Sequence, residues 1–117
     1  MKKNDIKFHL AKILLLGLAY KKNIDDYRES ASTKLFDHLS KKKIKKIKFY
    51  DPYFKKNNVP KKINLLNKLT SKKLLEFDLV VLVTNHDSFD YKFINKHAKK
   101  IIDCRGRFSL SDKVIRG

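Results

Sequence analysis

The chain has 117 residues, a net charge of +17 and a single cysteine. This length suits one domain and is too short for a cofactor domain plus a substrate domain. One cysteine excludes an internal disulfide framework and suits the cytoplasm, and the scattered histidines give no zinc pattern. No apolar run approaches the roughly 20 residues that cross a bilayer, and no signal peptide is expected.

The positive charge has two interpretations. A pI near 10 is typical of proteins that bind nucleic acid or anionic membranes. However, 25 of the 29 positive residues are lysine, whereas specific nucleic-acid readers rely on the planar fork of arginine. The lysines are also spread along the whole chain, which is typical of solvated surface. We favour this second interpretation and keep a small basic nucleic-acid-binding module as the alternative function. A phosphate-bearing ligand is compatible with both interpretations of the charge.

The first half of the chain predicts two strands and a helix. Residues 13–17 form a continuous apolar run that ends in glycine, which indicates a strand buried on both faces. Ser30 can cap a following helix. Residues 44–50 alternate apolar side chains with lysines and indicate a second strand. The predicted apolar face of the helix consists of Ala31, Leu35 and Leu39.

The second half of the chain continues the alternation of strands and helices. Residues 63–75 predict a helix on the pattern of Leu65, Leu66, Leu69 and Leu74, with a possible break at 70–71. Residues 79–83 are consecutive aliphatics, three of them valine, and give the clearest strand signal. Residues 91–97 indicate a short helix, and residues 101–102 begin a last short strand.

This order of elements predicts an α/β domain with a doubly wound parallel sheet of four or five strands. Helices would cover both faces of the sheet, giving three layers. The domain is expected to span residues 12–108. A basic extension would precede it at residues 1–11, and a frayed tail would follow at residues 109–117.

Arginine is concentrated where a parallel sheet binds ligands, beyond the carboxyl ends of its strands. Arg28, Arg105 and Arg107 all follow predicted strands, whereas Arg116 lies elsewhere. Arg28 and Arg105, together with Lys21, predict an anion site at this edge, because guanidinium binds phosphate or carboxylate bidentately. The alternative is that some of them form structural pairs with nearby aspartates.

Three other candidates each have a functional and a structural interpretation. Asp51 ends the second strand, where dinucleotide folds place a ribose-binding acid, but Gly17 stands alone without the other fingerprint glycines, so a turn-capping role is favoured. Cys104 is either a nucleophile activated by adjacent arginines or a half-buried structural residue, which we favour. His86 and Asp87 could form an acid–base pair, although a turn without chemistry is favoured.

The segment 12–30, KILLLGLAYKKNIDDYRES, resembles the opening of the C-terminal domain in the UDP-glucose/GDP-mannose dehydrogenase family. There a strand runs into G-[LF]-[AS]-[FY]-K and then D-x-R-E-S. The D-P-Y at 51–53, the valine-rich segment 77–84 and the D-C-R-G at 103–106 are similar to later family motifs. The resemblance covers about residues 12–108 and implies a Rossmann-like domain.

The resemblance also implies a function. This family oxidises the C6 hydroxymethyl group of a nucleotide sugar to a carboxylate in two NAD-dependent steps. By resemblance, Tyr20, Lys21 and Arg105 would bind the nucleotide sugar, and Arg28 would reach the NAD. The combination of YKKNIDDYRES with FDYKFINKHA is most similar to the UDP-N-acetylglucosamine and UDP-N-acetylmannosamine 6-dehydrogenases, bacterial enzymes that serve surface polysaccharides.

The sequence also departs from the family pattern. Ile24 stands where threonine is usual, and Cys104 stands where the last motif usually has threonine or glycine. Neither the Rossmann glycines nor the G-G-x-C segment of the family's catalytic thiol is present. We therefore expect NAD to be bound mainly by a domain absent from this chain, with a separate N-terminal dehydrogenase chain as a possible partner. The chain alone is not expected to catalyse the reaction.

Overall fold

The computed structural model describes residues 10–19, 30–55, 59, 61, 63–108 and 112–116. Five strands and three helices lie within these ranges. In chain order they are β1 (Lys12–Leu16), α1 (Ala31–Lys41), β2 (Lys46–Tyr50), α2 (Ser71–Glu76), β3 (Leu79–Leu82), α3 (Tyr91–His97), β4 (Ile101–Asp103) and β5 (Val114–Arg116).

The strands form one parallel sheet in the order β2-β1-β3-β4-β5. The chain passes from β1 outward to β2 and then returns to place β3 on the other side of β1. The direction of winding therefore reverses between β1 and β3, and all strands end at one edge, here called the carboxyl edge. In open parallel sheets the crevice at such a reversal is the usual ligand site.

Successive side chains of β1 enter two separate cores, because strand side chains alternate between the faces of a sheet. Ile13 and Leu15 lie in the core under α1, whereas Leu14 and Leu16 lie in the core under α2 and α3. All four are at most 2% exposed. The predicted doubly wound sheet with helices on both faces is thus confirmed.

The predicted start of the first helix is confirmed. Ser30 is the N-cap of α1, and its hydroxyl accepts the Thr33 amide at 3.1 Å. Thr70 and Asp90 cap α2 and α3 in the same way, which satisfies amides that have no partner within the helix. Ala31, however, is exposed, so its predicted place on the apolar face is wrong. The side chains of α1 that pack on the core are Leu35, Phe36 and Leu39.

The helix predicted over residues 63–75 is wrong for most of its length, because only Ser71–Glu76 is helical. Residues 64–66 instead lie along β2, the edge strand. Phe49 donates its amide to Asn64 O at 2.8 Å and accepts the Leu66 amide at 2.8 Å. The free edge of β2 offers backbone partners that the leucine pattern does not reveal, and these partners override the helical spacing.

The tail predicted after residue 108 contains a strand. Val114–Arg116 pairs in parallel with β4, and Val114 is buried in the core. The prediction of a frayed end is therefore wrong at these residues. Three residues are too few to show a strand period, so tertiary pairing decides the structure here.

Candidate functional site

The ends of β1 and β3 touch at the carboxyl edge. Leu16 O accepts the amides of Val83 at 3.0 Å and Thr84 at 3.2 Å, and the Thr84 hydroxyl donates to Ala19 O at 2.8 Å. Gly17 lies between them with φ +96°, and a Cβ on it would stand 2.4 Å from the Thr84 Cβ. Only glycine permits this approach, which closes the switch point between the two strands.

Asp51 holds the end of β1 from the end of β2. Its Oδ2 accepts the amides of Leu18 at 2.7 Å and Ala19 at 3.0 Å, and its Oδ1 accepts the Tyr53 amide at 2.9 Å. The turn-capping interpretation of Asp51 is therefore confirmed. The residue is 2% exposed and both oxygens are engaged, so a ribose hydroxyl cannot reach it. The described residues thus do not fit a dinucleotide cradle at this strand end.

His86 lies behind Asp51. Its Nε2 is 2.8 Å from Asp51 Oδ2, and both side chains are fully buried. Because Oδ2 already accepts two amides, the carboxylate acts as an acceptor and Nε2 donates. The Tyr91 hydroxyl donates to His86 O at 2.6 Å, and the imidazole packs between the rings of Tyr53 and Phe89.

Arg105 is fixed beside the switch point. The buried carboxylate of Asp103 accepts the amides of Arg105 at 2.9 Å, Gly106 at 2.7 Å and Phe108 at 2.8 Å. The Arg105 Nε then donates to Val83 O at 2.7 Å, which ties β4 to the end of β3. Its terminal amino groups make no hydrogen bond within the described residues.

Arg107 has a structural role instead. Its Nη1 lies 3.2 Å from Asp87 Oδ1 and 3.3 Å from Asn85 O, and its Cζ lies 4.3 Å from the centre of the Tyr91 ring. The alternative of a structural arginine–aspartate pair therefore applies to Arg107. The structure pairs Asp87 with Arg107 and His86 with Asp51, which does not support an acid–base pair made by the two neighbours.

The expectation that Arg116 lies away from the strand ends is wrong. Because β5 is parallel to the other strands, Arg116 ends it at the same carboxyl edge. Its Nη1 is 3.5 Å from Asp103 Oδ2. The same Nη1 lies so close to Gly106 that a Cβ added to that glycine would be 2.6 Å from it. Arg116 thus helps to neutralise the carboxylate that organises the Arg105 loop.

Cys104 does not have the properties of an activated nucleophile. Partial desolvation of its sulfur and the Asp103 carboxylate raise the pKa of the thiol, and Arg105 only partly offsets them. A thiol with a raised pKa is protonated at neutral pH and is a poor nucleophile. The residue is exposed, so the prediction of a half-buried side chain is wrong.

The other three predicted site residues, Tyr20, Lys21 and Arg28, lie outside the described residues. The described residues on either side of them are fixed at the carboxyl edge. Ala19 is buried and hydrogen-bonded to Asp51 and Thr84, as described above. Ser30 is buried at the start of α1.

Two surface clefts lie at opposite edges of the sheet. One, of about 520 Å³, adjoins the carboxyl end of β2 and is lined partly by Asp51, Phe54 and Lys55. The other, of about 250 Å³, lies near the starts of β1 and β2, and its lining includes four lysines. Lysine charge is therefore not confined to the carboxyl edge. The lysines of the second cleft are Lys12, Lys45, Lys46 and Lys48.

The described ranges contain no group of three or more histidine, cysteine, aspartate or glutamate side chains placed to hold a metal ion. They also contain no helix with the length and apolarity that a membrane span requires.

Residues 14–109 match the UDP-glucose/GDP-mannose dehydrogenase family, UDP binding domain. The chain belongs to this family. It is the C-terminal, UDP-binding domain of the family. The family resemblance inferred from the G-[LF]-[AS]-[FY]-K and D-x-R-E-S motifs is confirmed.

Individual relatives agree with this assignment. The chain is 31% identical over 93 residues to a UDP-N-acetyl-D-mannosamine dehydrogenase of Methanococcus vannielii, covering 77% of this chain and 20% of that protein. It is similar to the structure of a UDP-D-ManNAc dehydrogenase from Pyrococcus horikoshii, with 30% identity, a TM-score of 0.65 and coverage of 94% and 25% of the two chains. A GDP-mannose dehydrogenase from Pseudomonas aeruginosa, 22% identical with a TM-score of 0.72, shares the fold over 97% of this chain and 30% of its own. The chain thus spans a fifth to less than a third of these proteins.

Proposed function

We propose that this chain binds the nucleotide of a UDP-sugar at its carboxyl edge, as the substrate-binding part of an NAD-dependent nucleotide-sugar 6-dehydrogenase. The proposed substrates are of the UDP-N-acetylglucosamine or UDP-N-acetylmannosamine type. Their C6 hydroxyl would be oxidised to a uronate for surface polysaccharide synthesis in the cytoplasm. The name of the Methanococcus vannielii relative supports this choice of sugar.

The observation that carries the proposal is the placement of Arg105. A diphosphate is held best by a cation that is already fixed, because less side-chain entropy is lost on binding. Asp103 fixes the Arg105 backbone, and Val83 O fixes its Nε. The guanidinium is thereby held at the reversal of the sheet, where parallel sheets bind ligands. It keeps further donors to offer to phosphate oxygens.

Tyr20 and Lys21 would complete the substrate site, and Arg28 would reach the NAD. Two contacts support this part of the proposal. Asp51 binds the Ala19 amide and Thr84 binds the Ala19 carbonyl, so the chain enters the segment with Tyr20 and Lys21 at the same edge as Arg105.

NAD and the catalytic thiol would come from a dehydrogenase portion beyond these 117 residues, whether in the same polypeptide or in a partner chain. The engaged carboxylate of Asp51 and the raised pKa of the Cys104 thiol both support this division. The chain would then close over a substrate that another domain oxidises.

Ligand competition distinguishes this function from the alternative of a nucleic-acid-binding module. UDP added to the ¹⁵N-labelled chain should perturb the amides of residues 17–19 and 104–106 and should saturate. A nucleic-acid module would instead bind single-stranded oligonucleotides with a steep salt dependence, without competition from UDP. Mixing the chain with UDP-N-acetylglucosamine and NAD should yield no NADH. Turnover would contradict the proposed division of the chemistry.

A further inference from the structure

Two buried side chains from different strands hold the end of β1 at the carboxyl edge. Asp51 follows β2 and His86 follows β3, and they meet at 2.8 Å. We propose that Asp51 and His86 are positioning residues for the nucleotide-sugar site. They would fix the backbone of Leu18 and Ala19, where the chain leaves β1 at the edge that also holds Arg105. This inference rests on the proposed function, in which that edge binds the nucleotide.

The backbone at Leu18 and Ala19 has left the sheet, and a side chain rather than a strand binds its amides. Leu18 and Ala19 are at most 1% exposed, yet they lie beyond the last residue of β1. Their amides would be buried without partners if Asp51 were absent. A buried amide without a partner is costly, so this strand end depends on the carboxylate.

Both backbone groups of Ala19 are held by side chains from other strand ends. The Ala19 amide is bound by Asp51 Oδ2 at 3.0 Å, and its carbonyl is bound by the Thr84 hydroxyl at 2.8 Å. With both groups held, the peptide planes on the two sides of Ala19 are fixed. The backbone beyond β1 is therefore held in place as far as Ala19.

The negative charge of Asp51 is buried within the protein. A carboxylate at an edge that binds a diphosphate would repel it if it faced the ligand. Asp51 is 2% exposed, and its oxygens accept hydrogen bonds from three amides and from His86. These four donors satisfy its charge internally. Because His86 follows β3, its bond to Asp51 joins the ends of β1, β2 and β3 into one unit.

The test compares carboxylates at the two ends of the same strand. Asp51→Asn would weaken the hold on the Leu18 and Ala19 amides at the carboxyl end of β1. Asp78→Asn is the matched control, because Asp78 Oδ2 accepts the Lys12 amide at 2.9 Å at the other end of β1. Each folded variant is titrated with UDP, and amide hydrogen exchange is recorded by NMR.

Asp51→Asn should speed exchange at Leu18 and Ala19 and weaken UDP binding about tenfold, as expected when a preorganised site becomes mobile. Asp78→Asn should leave the UDP affinity within about twofold of wild type, since it changes the opposite edge of the sheet.

A pair of substitutions tests the role of His86. His86→Leu should weaken UDP binding, and His86→Gln, which retains an N–H donor, should restore part of it.

The outcomes separate this inference from the proposed function. If the wild-type chain does not bind UDP, the proposed function fails and the positioning role fails with it. If the wild-type chain binds UDP and a folded Asp51→Asn binds equally well despite faster exchange at Leu18 and Ala19, only the positioning role is overturned. Should Asp51→Asn not fold, the His86 pair decides. Equal affinities of His86→Leu, His86→Gln and wild type would overturn the inference.

Discussion

The Nε2 of His86 lies 2.8 Å from Asp51 Oδ2 in a part of the molecule where neither side chain is exposed to solvent. The two residues follow different strands, and Asp51 also binds the amides at the end of a third. This contact is therefore the point at which β1, β2 and β3 are joined at the carboxyl edge. Loss of the Asp51 carboxylate would remove the acceptor of the Leu18 and Ala19 amides and of His86 Nε2 together.

Asp51→Ala should lower the free energy of unfolding by about 2–5 kcal/mol, because the buried Leu18 and Ala19 amides and His86 Nε2 would lose this hydrogen-bond acceptor. Asp78→Ala, which removes an exposed carboxylate from the amide of Lys12, should cost about 1 kcal/mol or less. Urea unfolding followed by circular dichroism measures both. Equal losses for the two substitutions would show that the buried Asp51 contributes no more to stability than an exposed carboxylate.

Gly17→Ala should destabilise the fold by more than about 2 kcal/mol, because a Cβ would meet the Thr84 Cβ and backbone in a strained conformation. Gly106→Ala is the control. It also has a positive φ, but its Cβ would meet only the end of the Arg116 side chain, which can move. We expect a cost of about 1–2 kcal/mol there. A smaller loss at Gly17 than at Gly106 would contradict the close approach of β1 and β3.

Much of the fold follows from local patterns. The aliphatic runs of β1 and β3 are buried on both faces, and such strands show in sequence as continuous apolar residues. The Ser30 cap has a local cause and was also predictable. Residues 64–66 and 114–116 were not, because their structure depends on pairing with β2 and β4, which are distant in sequence.

The candidate site was predictable in part. Arginine is rare in this lysine-rich chain, and Arg105 follows a predicted strand, which together indicated an anion site. Arg105 does lie at the expected edge. The partnership of Asp51 with His86 was missed, because 35 residues separate them. A local signal existed, since D-P-Y and T-N-H each follow a strand directly. Which arginines pair with aspartates could not be decided, because the strand carrying Arg116 was not predicted.

Tyr91 should make stability fall at high pH. Burial raises the pKa of Tyr91 from 10.0 to about 12, with Arg107 opposing and Asp87 and Asp103 adding to the shift. A folded-state pKa above the unfolded value means that this contribution is complete below pH 10.0 and is lost as pH rises toward about 12. Denaturation midpoints measured across this range should fall more steeply for the wild type than for Tyr91→Phe. Parallel curves would contradict the shift.

Cys104 should react slowly with iodoacetamide at neutral pH. The pKa of the thiol is raised above its ordinary value of 9.0, so the midpoint of the rate against pH should lie above that value. Arg105→Gln should move the midpoint higher still, because Arg105 lowers the pKa. Lys46→Gln, at the opposite edge, should leave it unchanged. The chain has one cysteine, so the rate reports this site alone. A midpoint below 9.0 would restore the nucleophile hypothesis.

The central claim is that Arg105 at the carboxyl edge binds the diphosphate of a UDP-sugar. Calorimetric titration with UDP at low ionic strength tests it most directly, with Arg105→Gln compared with Lys46→Gln. Both substitutions remove one positive charge, but Lys46 lies at the start of β2, at the other edge. Arg105→Gln should weaken binding at least about tenfold, through lost charge-assisted hydrogen bonds worth about 1.5–3 kcal/mol. Lys46→Gln should change it by about twofold or less. Equal losses in both variants, or none in Arg105→Gln, would contradict the account.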